Sequence, residues 1–264
     1  AYGAAMVHMF NSPSNSPAHI DLFGLSIDAL TFDEAIESLC ACIGQRPSRV
    51  VVTPNVDHVI SLHDNHVLKQ TYATAEFQFA DGMPLVWASR LLGKPLPARV
   101  TGADLFVKLC KIATSQHWHV AVIGGMPGQE AELIRLFSRN FPNLRLSLHS
   151  PQLGFDHEGS SGKTAANWVN AIAPDLVFVC LGFPRQELWA FQERPTLNTS
   201  LIFGVGASME FALGLASRAP YWMQRCGMEW VWRLLSNPRK LWRRYLVRGP
   251  RFLKIIWQEW LKHR

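Results

Sequence analysis

The segment Asp175-Leu-Val-Phe-Val-Cys-Leu-Gly-Phe-Pro-Arg-Gln-Glu187 contains the pattern that decides the fold class. Leu176 to Leu181 form an unbroken apolar run, which is typical of a strand buried on both faces. Gly182 follows and allows a tight turn before the next helical segment. A strand, a glycine turn and a helix in this order form part of a βαβ unit.

Five further segments have the short, apolar character of strands. They are Arg49–Thr53, Phe77–Ala80, Trp118–Ile123, Leu144–Leu148 and Ser200–Val205. Helical patterns separate them, and one begins with a capping box, Thr31-Phe-Asp-Glu34, that predicts a helix toward Ile43. This alternation indicates an α/β fold with a mainly parallel sheet and helices on both faces. Ligands of such folds bind beyond the carboxyl ends of the strands.

The composition excludes several classes of protein. The chain has 264 residues, 48% of them hydrophobic and 17% charged, which excludes disordered and fibrous proteins. Its apolar runs are shorter than the roughly 18–20 residues of a membrane-spanning helix, and residues 1–18 read as a loose, disordered tail without the pattern of a signal peptide. Five cysteines without a CxxC pair favour reduced thiols over disulfides or a zinc site. We therefore expect a cytoplasmic protein.

The charge is concentrated at the C-terminal end. Residues 218–264 contain 12 Lys/Arg against Glu229 and Glu259, and six of the ten tryptophans. We therefore expect a domain at 19–217 and a basic appendage at 218–264. The appendage predicts two basic amphipathic helices, one opened by Asn237 and Pro238 and one after Gly249-Pro250, with Leu253, Ile256, Trp257 and Trp260 on the apolar stripe of the second.

Such helices favour an anionic membrane surface as partner. Packing of the apolar stripes on the body is the alternative, and nucleic acid ranks third because no nucleic-acid-binding module accompanies the charge. The candidate acceptor- and membrane-facing residues are Arg218, Arg225, Arg233, Arg239, Lys240, Arg243 and Arg244.

Three predicted strands end in glycine turns. Gly124-Gly-Met-Pro-Gly128, Gly182-Phe-Pro-Arg and Gly204-Val-Gly206 each follow a strand directly, and glycines let backbone amides approach a phosphate group. Plain turn geometry is the commoner explanation of each turn alone. Their common place at one sheet edge favours a phosphate site.

Two other turns carry polar side chains. Thr53 and Asn55 follow one strand, and Asp81 follows another. Helix capping explains all three side chains, and spacing alone favours it. A general base in the cleft is the functional alternative for Asp81.

The chain lacks the motifs of several other enzyme classes. It contains no Asp-x-Asp, HExxH or GxSxG, so neither a metal site nor a hydrolase nucleophile is predicted. An NAD-dependent oxidoreductase is an alternative, but the sequence lacks a GxGxxG motif followed by a ribose-binding acid, which argues against it. A non-enzymatic membrane-binding protein is the third alternative.

Eight motifs, in order, resemble one family. They are Thr53-Pro-Asn55, Ala80-Asp-Gly82, Arg99-Val-Thr-Gly-Ala-Asp104, Val122-Ile-Gly-Gly125, Leu181-Gly-Phe-Pro-Arg-Gln-Glu187, Gly204-Val-Gly206, Arg218-Ala-Pro220, and Gly227-Met-Glu-Trp230 through Arg233-Leu-Leu-Ser-Asn-Pro238. From about Ile20 to Tyr245 the chain resembles the WecG/TagA/CpsF glycosyltransferases.

This resemblance implies an inverting transfer of a sugar from a nucleotide diphosphate to a polyprenyl-pyrophosphate-linked monosaccharide. It also implies a Rossmann-like domain with a C-terminal appendage that helps close the site and touches the cytoplasmic face of the inner membrane. No cofactor or metal is expected, and a homo-oligomer is compatible with the sequence.

The resemblance also assigns residues. The family's base falls on Asp81, with Thr53 and Asn55 beside it, and Arg99 falls near the diphosphate. Gln186 matches the Gln of the family's Pro-x-Gln-Glu turn, while Arg233 and Arg243 match basic positions of the appendage. Together with the glycine turns, the donor-binding candidates are Arg99, Gly124, Gly125, Gly182, Gln186, Glu187, Gly204, Gly206 and Glu210.

The donor sugar is predicted from two features. Glu210 stands where many relatives carry Asp, and its longer reach argues against an N-acetylmannosamine-type donor. The Gly182-Phe-Pro-Arg turn and the Trp-rich appendage look more like the branch that builds polysaccharides of the xanthan kind. We therefore expect UDP-glucose and a β-1,4 linkage in exopolysaccharide synthesis, with an N-acetylmannosaminyl or uronyl transferase as the alternative.

Overall fold

A computed structural model describes residues 18–262, except for the side chain of Lys240. The tail expected at 1–18 therefore lies, apart from its last residue, outside the described residues. The strands are β1 His19–Leu22, β2 Leu25–Asp28, β3 Arg49–Val52, β4 Phe77–Gln78, β5 His119–Gly124, β6 Arg145–His149, β7 Leu176–Cys180 and β8 Leu201–Gly204.

The helices lie between and after these strands. They are α1 Phe32–Cys40, α2 Val56–Asp64, α3 His66–Tyr72, α4 Met83–Leu91, α5 Gly102–Gln116, α6 Glu130–Asn140, α7 Ser160–Ile172, α8 Arg185–Glu193, α9 Ser208–Ala212, α10 Tyr221–Arg225, α11 Glu229–Ser236, α12 Pro238–Trp242 and α13 Pro250–Lys262, with a π-helical segment at Arg243–Arg248. Thr31 and Glu34 form the predicted capping box at α1.

Six parallel strands form the central sheet, in the order β4-β3-β8-β7-β5-β6. All six were predicted from the sequence, with ends that differ by one or two residues. Side chains alternate between the two faces: Val177 and Val179 of β7 join one buried cluster, whereas Leu176 and Phe178 join the other. The α/β fold with two covered faces is confirmed.

The antiparallel hairpin of β1 and β2 was not predicted. Each strand has only four residues, and the turn uses Phe23 and Gly24, both at positive φ, without the Asn-Gly pair that signals such turns. Buried Asp28 accepts a hydrogen bond from the Gln78 N–H at 2.7 Å. The hairpin is thereby fixed to the β4 edge of the sheet.

The C-terminal helices pack on the body along one stripe. Phe252 and Ile255 are buried, and Phe252 meets Phe23 with ring centroids 5.4 Å apart. Leu253 and Trp257, which belong to the predicted apolar stripe, are 68% and 59% exposed. Phe252, Ile255 and Ile256 therefore pack on the body, while Leu253 and Trp257 of the predicted stripe form an uncovered apolar surface.

The path into α13 also differs from the prediction. Gly249 keeps right-handed helical angles, so the chain passes through the π-helical segment into α13 without the expected break. Arg244 and Arg248 each lie 3.3 Å from Asp57 of α2, and Arg251 forms a two-bonded pair with Asp64. Within residues 18–262, no helix is both long and apolar enough to span a membrane.

Candidate active site

A cavity of about 860 Å³ lies beyond the carboxyl ends of β3, β4 and β8. The body supplies Thr53, Asn55 and Asp81 to its wall, and the C-terminal helices supply other lining residues, among them Glu229 and Arg233. This is the position at which ligands bind in α/β sheets of this kind.

Asp81 is held at the cavity wall by backbone groups. Its N–H donates to the Pro54 carbonyl at 2.9 Å, and its Oδ2 accepts from the Gly102 N–H at 3.3 Å. Asp81 does not cap α4, because Gly82 at φ 110° stands immediately before that helix and no side chain caps it. The capping interpretation of Asp81 is therefore wrong.

The surroundings of Asp81 raise the pKa of its carboxyl to about 6. Desolvation is the largest cause and the negative charge of Glu229 is the second, while Arg233, the Gly102 N–H and Arg218 act in the opposite direction. A carboxylate with a pKa near neutrality can accept a proton effectively.

Asn55 caps α2, as its position predicts. Its Oδ1 accepts from the N–H groups of Asp57 at 3.0 Å and His58 at 3.3 Å, and its own N–H donates to the His58 Nδ1 at 3.1 Å. Burial lowers the pKa of His58 to about 3, so the imidazole is neutral. Thr53 is 6% exposed and lines the same wall.

Gln186 joins two of the glycine turns. Its Oε1 accepts from the Gly182 N–H at 3.1 Å and from the Gly206 N–H at 3.0 Å. Its Nε2 donates to Glu187 Oε1 at 2.8 Å, and a Cβ added at Gly204 would lie 3.1 Å from that oxygen. Glu187 is 1% exposed and does not line the cavity. Burial raises the pKa of Glu187 to about 7.

Two arginines beside the cavity are held by acidic and amide groups. The Arg99 guanidinium donates to Gln224 Oε1 at 3.0 Å and lies 3.9 Å from Asp104. Arg218 donates to both carboxylate oxygens of Asp104, at 2.6 and 3.2 Å. Both arginines line the cavity, so two fixed positive charges face the space beside Asp81.

The structure does not bring every predicted donor-binding residue to this cavity. Gly124 and Gly125 pack against Cys180, Leu133 and Ser150. They lie at the end of β5, which β7 separates from β8 in the sheet, and therefore away from the cavity. Glu210 lies in α9, where its charge raises the pKa of the Cys180 thiol in addition to burial. None of these three predicted residues lines the cavity.

The predicted basic residues of the C-terminal segment, residues 218–264, fall into two groups. Arg218, Arg233 and Arg244 line the cavity. Arg225 lies over the Tyr221 ring and Arg243 over the Trp242 ring, Arg239 is exposed, and Lys240 falls outside the described side chains. Arg225, Arg239 and Arg243 do not line the cavity.

Sequence reasoning missed Gly102, His58 and Glu229 as site residues. Gly102 permits a close approach, because a Cβ there would lie 3.0 Å from Thr53 Oγ1. Glu229 stands inside the motif Gly227-Met-Glu-Trp230, which was therefore the available signal. Across residues 18–262, no group of three His, Cys, Asp or Glu side chains could hold a metal ion, and the metal-free expectation stays a prediction.

Comparison with known proteins supports one family. The model of the glycosyl transferase WecG/TagA/CpsF family matches residues 20–264. An N-acetylglucosaminyldiphosphoundecaprenol N-acetyl-β-D-mannosaminyltransferase of Bacillus spizizenii is 32% identical over 221 residues, covering 84% of this chain and 82% of the relative. A protein of the same name from Staphylococcus aureus is 26% identical over 229 residues, covering 86% and 88%. This chain is a glycosyltransferase and belongs to the WecG/TagA/CpsF family.

Proposed function

We propose that this protein transfers N-acetylmannosamine from UDP-N-acetylmannosamine to a polyprenyl-diphosphate-linked N-acetylglucosamine. The names of the relatives from Bacillus spizizenii and Staphylococcus aureus support this transferred sugar and this acceptor. They favour the N-acetylmannosaminyl alternative over the UDP-glucose expectation. Glu210 does not line the cavity, which removes one of the two reasons for preferring glucose.

The observation that carries the proposal is the placement of Asp81 beside fixed positive charges. In a single inverting displacement, one carboxylate removes the proton of the acceptor hydroxyl while the leaving diphosphate gains charge. Asp81 would accept that proton. Thr53 and Asn55, on the same wall, would orient the acceptor sugar.

Arginine side chains would stabilise the leaving diphosphate. The N–H groups of Gly182 and Gly206 already donate to Gln186, so these turn amides are occupied within the protein. Arg99 and Arg218 remain as donors of positive charge at the cavity, and Arg233 and Arg244 add charge from the C-terminal segment. Guanidinium groups bind diphosphate oxygens in a planar, two-bonded geometry, so we propose that transfer needs no divalent metal.

We further propose that the protein works at the cytoplasmic face of an anionic membrane. Large apolar side chains of the C-terminal segment stay exposed: Tyr221, Trp222, Leu235, Trp242, Leu246, Val247, Leu253, Trp257 and Leu261. Basic residues are interspersed among them. Apolar side chains inserted at the headgroup boundary, with cations near anionic lipids, are the pattern of a surface-bound protein.

The test is a direct transfer assay. The purified protein is incubated with a short-chain polyprenyl-diphosphate N-acetylglucosamine and either UDP-N-acetylmannosamine or UDP-glucose, and products are identified by mass spectrometry. We expect an added N-acetylhexosamine with the first donor and none in a matched Asp81→Asn sample. Transfer of glucose alone would show that the donor assignment is wrong.

A further inference from the structure

Glu229 occupies an unusual position for an acid of the basic C-terminal segment. It is one of two acidic residues among the last 47, and its side chain is 19% exposed. Its Oε1 accepts from Arg233 Nε at 3.1 Å and from the terminal Arg233 nitrogen at 2.6 Å. Its Oε2 lies 3.8 Å from Arg99. The carboxylate therefore lies between two cavity-lining guanidinium groups.

These two arginines belong to different parts of the protein. Arg99 precedes α5 in the body, and both Asp104 of α5 and Gln224 of α10 contact it. Arg233 stands four residues after Glu229 in α11. Glu229 thus joins the wall formed by the body to the wall formed by the C-terminal segment.

The same carboxylate acts on Asp81 through space. The groups whose charge reaches Asp81 are Glu229 and Arg233 from α11, Arg218 from the segment before α10, and the Gly102 N–H from α5. Tyr72 of α3 also faces this region, since the pKa of its hydroxyl is raised mainly by burial and further by Glu187 and Asp81. Among these groups Glu229 is the negative charge that acts on Asp81 most strongly.

We propose that Glu229 is a positioning residue for sugar transfer, which holds Arg99 and Arg233 together at the cavity wall that Asp81 also lines. This inference rests on the proposed function. Because Glu229 is in the C-terminal segment, the base would reach full strength only when that segment is seated on the body. A carboxylate beside a like charge holds a proton more tightly and accepts one more readily.

We expect two changes when this charge is removed in Glu229→Gln. Asp81 becomes a weaker base near Arg233 and Arg218, so kcat above pH 7 should fall by roughly tenfold. The protonation midpoint of Asp81 should move down, since a nearby negative charge disfavours the ionised carboxylate and its removal relieves that effect. A purely structural role would lower kcat without moving the midpoint.

The experiment follows Asp81 directly, without substrate. Protein labelled with ¹³C at aspartate carboxyl groups is titrated by NMR, and the Asp81 signal is assigned by its loss in Asp81→Asn. We expect a midpoint near pH 6 in the wild type and a lower one in Glu229→Gln. Glu132→Gln, an exposed site on α6, is the matched control and should titrate like the wild type.

A second variant covers the case in which Glu229→Gln does not fold. Arg233→Gln leaves the Glu229 charge without its closest partner and removes a cation that favours ionised Asp81, so the midpoint should rise. An unchanged midpoint in folded Glu229→Gln, or a midpoint that falls in Arg233→Gln, would overturn the inference. Because the titration needs no sugar, a wild type that transfers neither donor would overturn the proposed function while leaving this readout intact.

Discussion

The side-chain oxygen of Gln186 accepts a hydrogen bond from the Gly206 N–H at 3.0 Å. The same oxygen also accepts from the Gly182 N–H, so one buried amide fixes the turns after β7 and β8. Gln186 is 2% exposed. It therefore acts on the cavity mainly by holding the backbone in place.

Removing this amide should loosen both turns. In Gln186→Ala two backbone N–H groups lose their acceptor, which costs about 1–3 kcal/mol of stability and about 2–4 °C in Tm for each kcal/mol. We expect the KM for the nucleotide sugar to rise together with a fall in kcat. Calorimetry and initial rates measure both, and the exposed Gln192→Ala on α8 should leave both close to wild type.

The pH dependence of transfer should follow Asp81. This carboxyl must be ionised to accept a proton and its pKa is about 6, so kcat/KM should rise about tenfold per pH unit below pH 6 and level off above it. Asp81→Asn should lose at least ~10²-fold in rate and also lose the acidic limb. A variant with wild-type rate would remove Asp81 from the mechanism.

Asp81 should also lower the free energy of unfolding at high pH. The pKa of Asp81 is raised in the folded protein from an ordinary value of 3.8, so its contribution is favourable below pH 4 and is lost as pH rises through 6. Above pH 7, Asp81→Asn should therefore be more stable than wild type by about 1–3 kcal/mol. Thermal unfolding at pH 8 and pH 5 should show this gain at pH 8 and a smaller one at pH 5.

The rate of sugar transfer should depend on Arg99 and should not depend on an added metal ion. Arg99→Gln removes a fixed charge from the cavity wall, and we expect kcat to fall by about 10²-fold or more. Transfer by the wild type should be unchanged when EDTA is present. Arg135→Gln on α6, an exposed charge remote from the cavity, should keep wild-type rates. A strict need for Mg²⁺ would contradict the proposal.

Membrane binding should depend on the uncovered face of α13. Replacing exposed Leu253 and Trp257 with glutamate removes apolar contacts worth about 1.5–3 kcal/mol each when buried, so binding to anionic vesicles should fall by more than tenfold. Val67 is 73% exposed on α3 and Val67→Glu should bind normally. Flotation with neutral and anionic vesicles measures binding. If the α13 double variant bound as well as Val67→Glu, this surface would not be the membrane-binding one.

The main sheet was predictable because its strands carry local signals. The four inner strands β3, β8, β7 and β5 contain short apolar runs, and burial on two faces requires that pattern. The edge strand β6 instead alternates leucine with polar residues, Arg145-Leu-Ser-Leu-His149. The β1–β2 hairpin carried no such signal: its stability comes from contacts that are distant in sequence, such as Asp28 with Gln78.

The site was predictable only in part, for similar reasons. Asp81, Arg99 and Gln186 stand in motifs that pointed to the cavity or its walls. Gly124 and Gly125 had the same local pattern as the other glycine turns, but the strand order places β5 away from β8. Glu229 lies next to Arg99 although 130 positions separate them in the sequence. Motif spacing along the chain could not predict this contact.

Helix α2 serves two parts of the protein at once. Its first turn is fixed by Asn55 at the cavity. Asp57, which also lines the cavity, pairs with Arg244 and Arg248, and Asp64 at the other end of the helix pairs with Arg251. If the protein binds a membrane as proposed, a tilt of α13 would pull on the helix that follows Asn55. The proposed membrane-facing helix and the cavity wall are thus connected through one helix of nine residues.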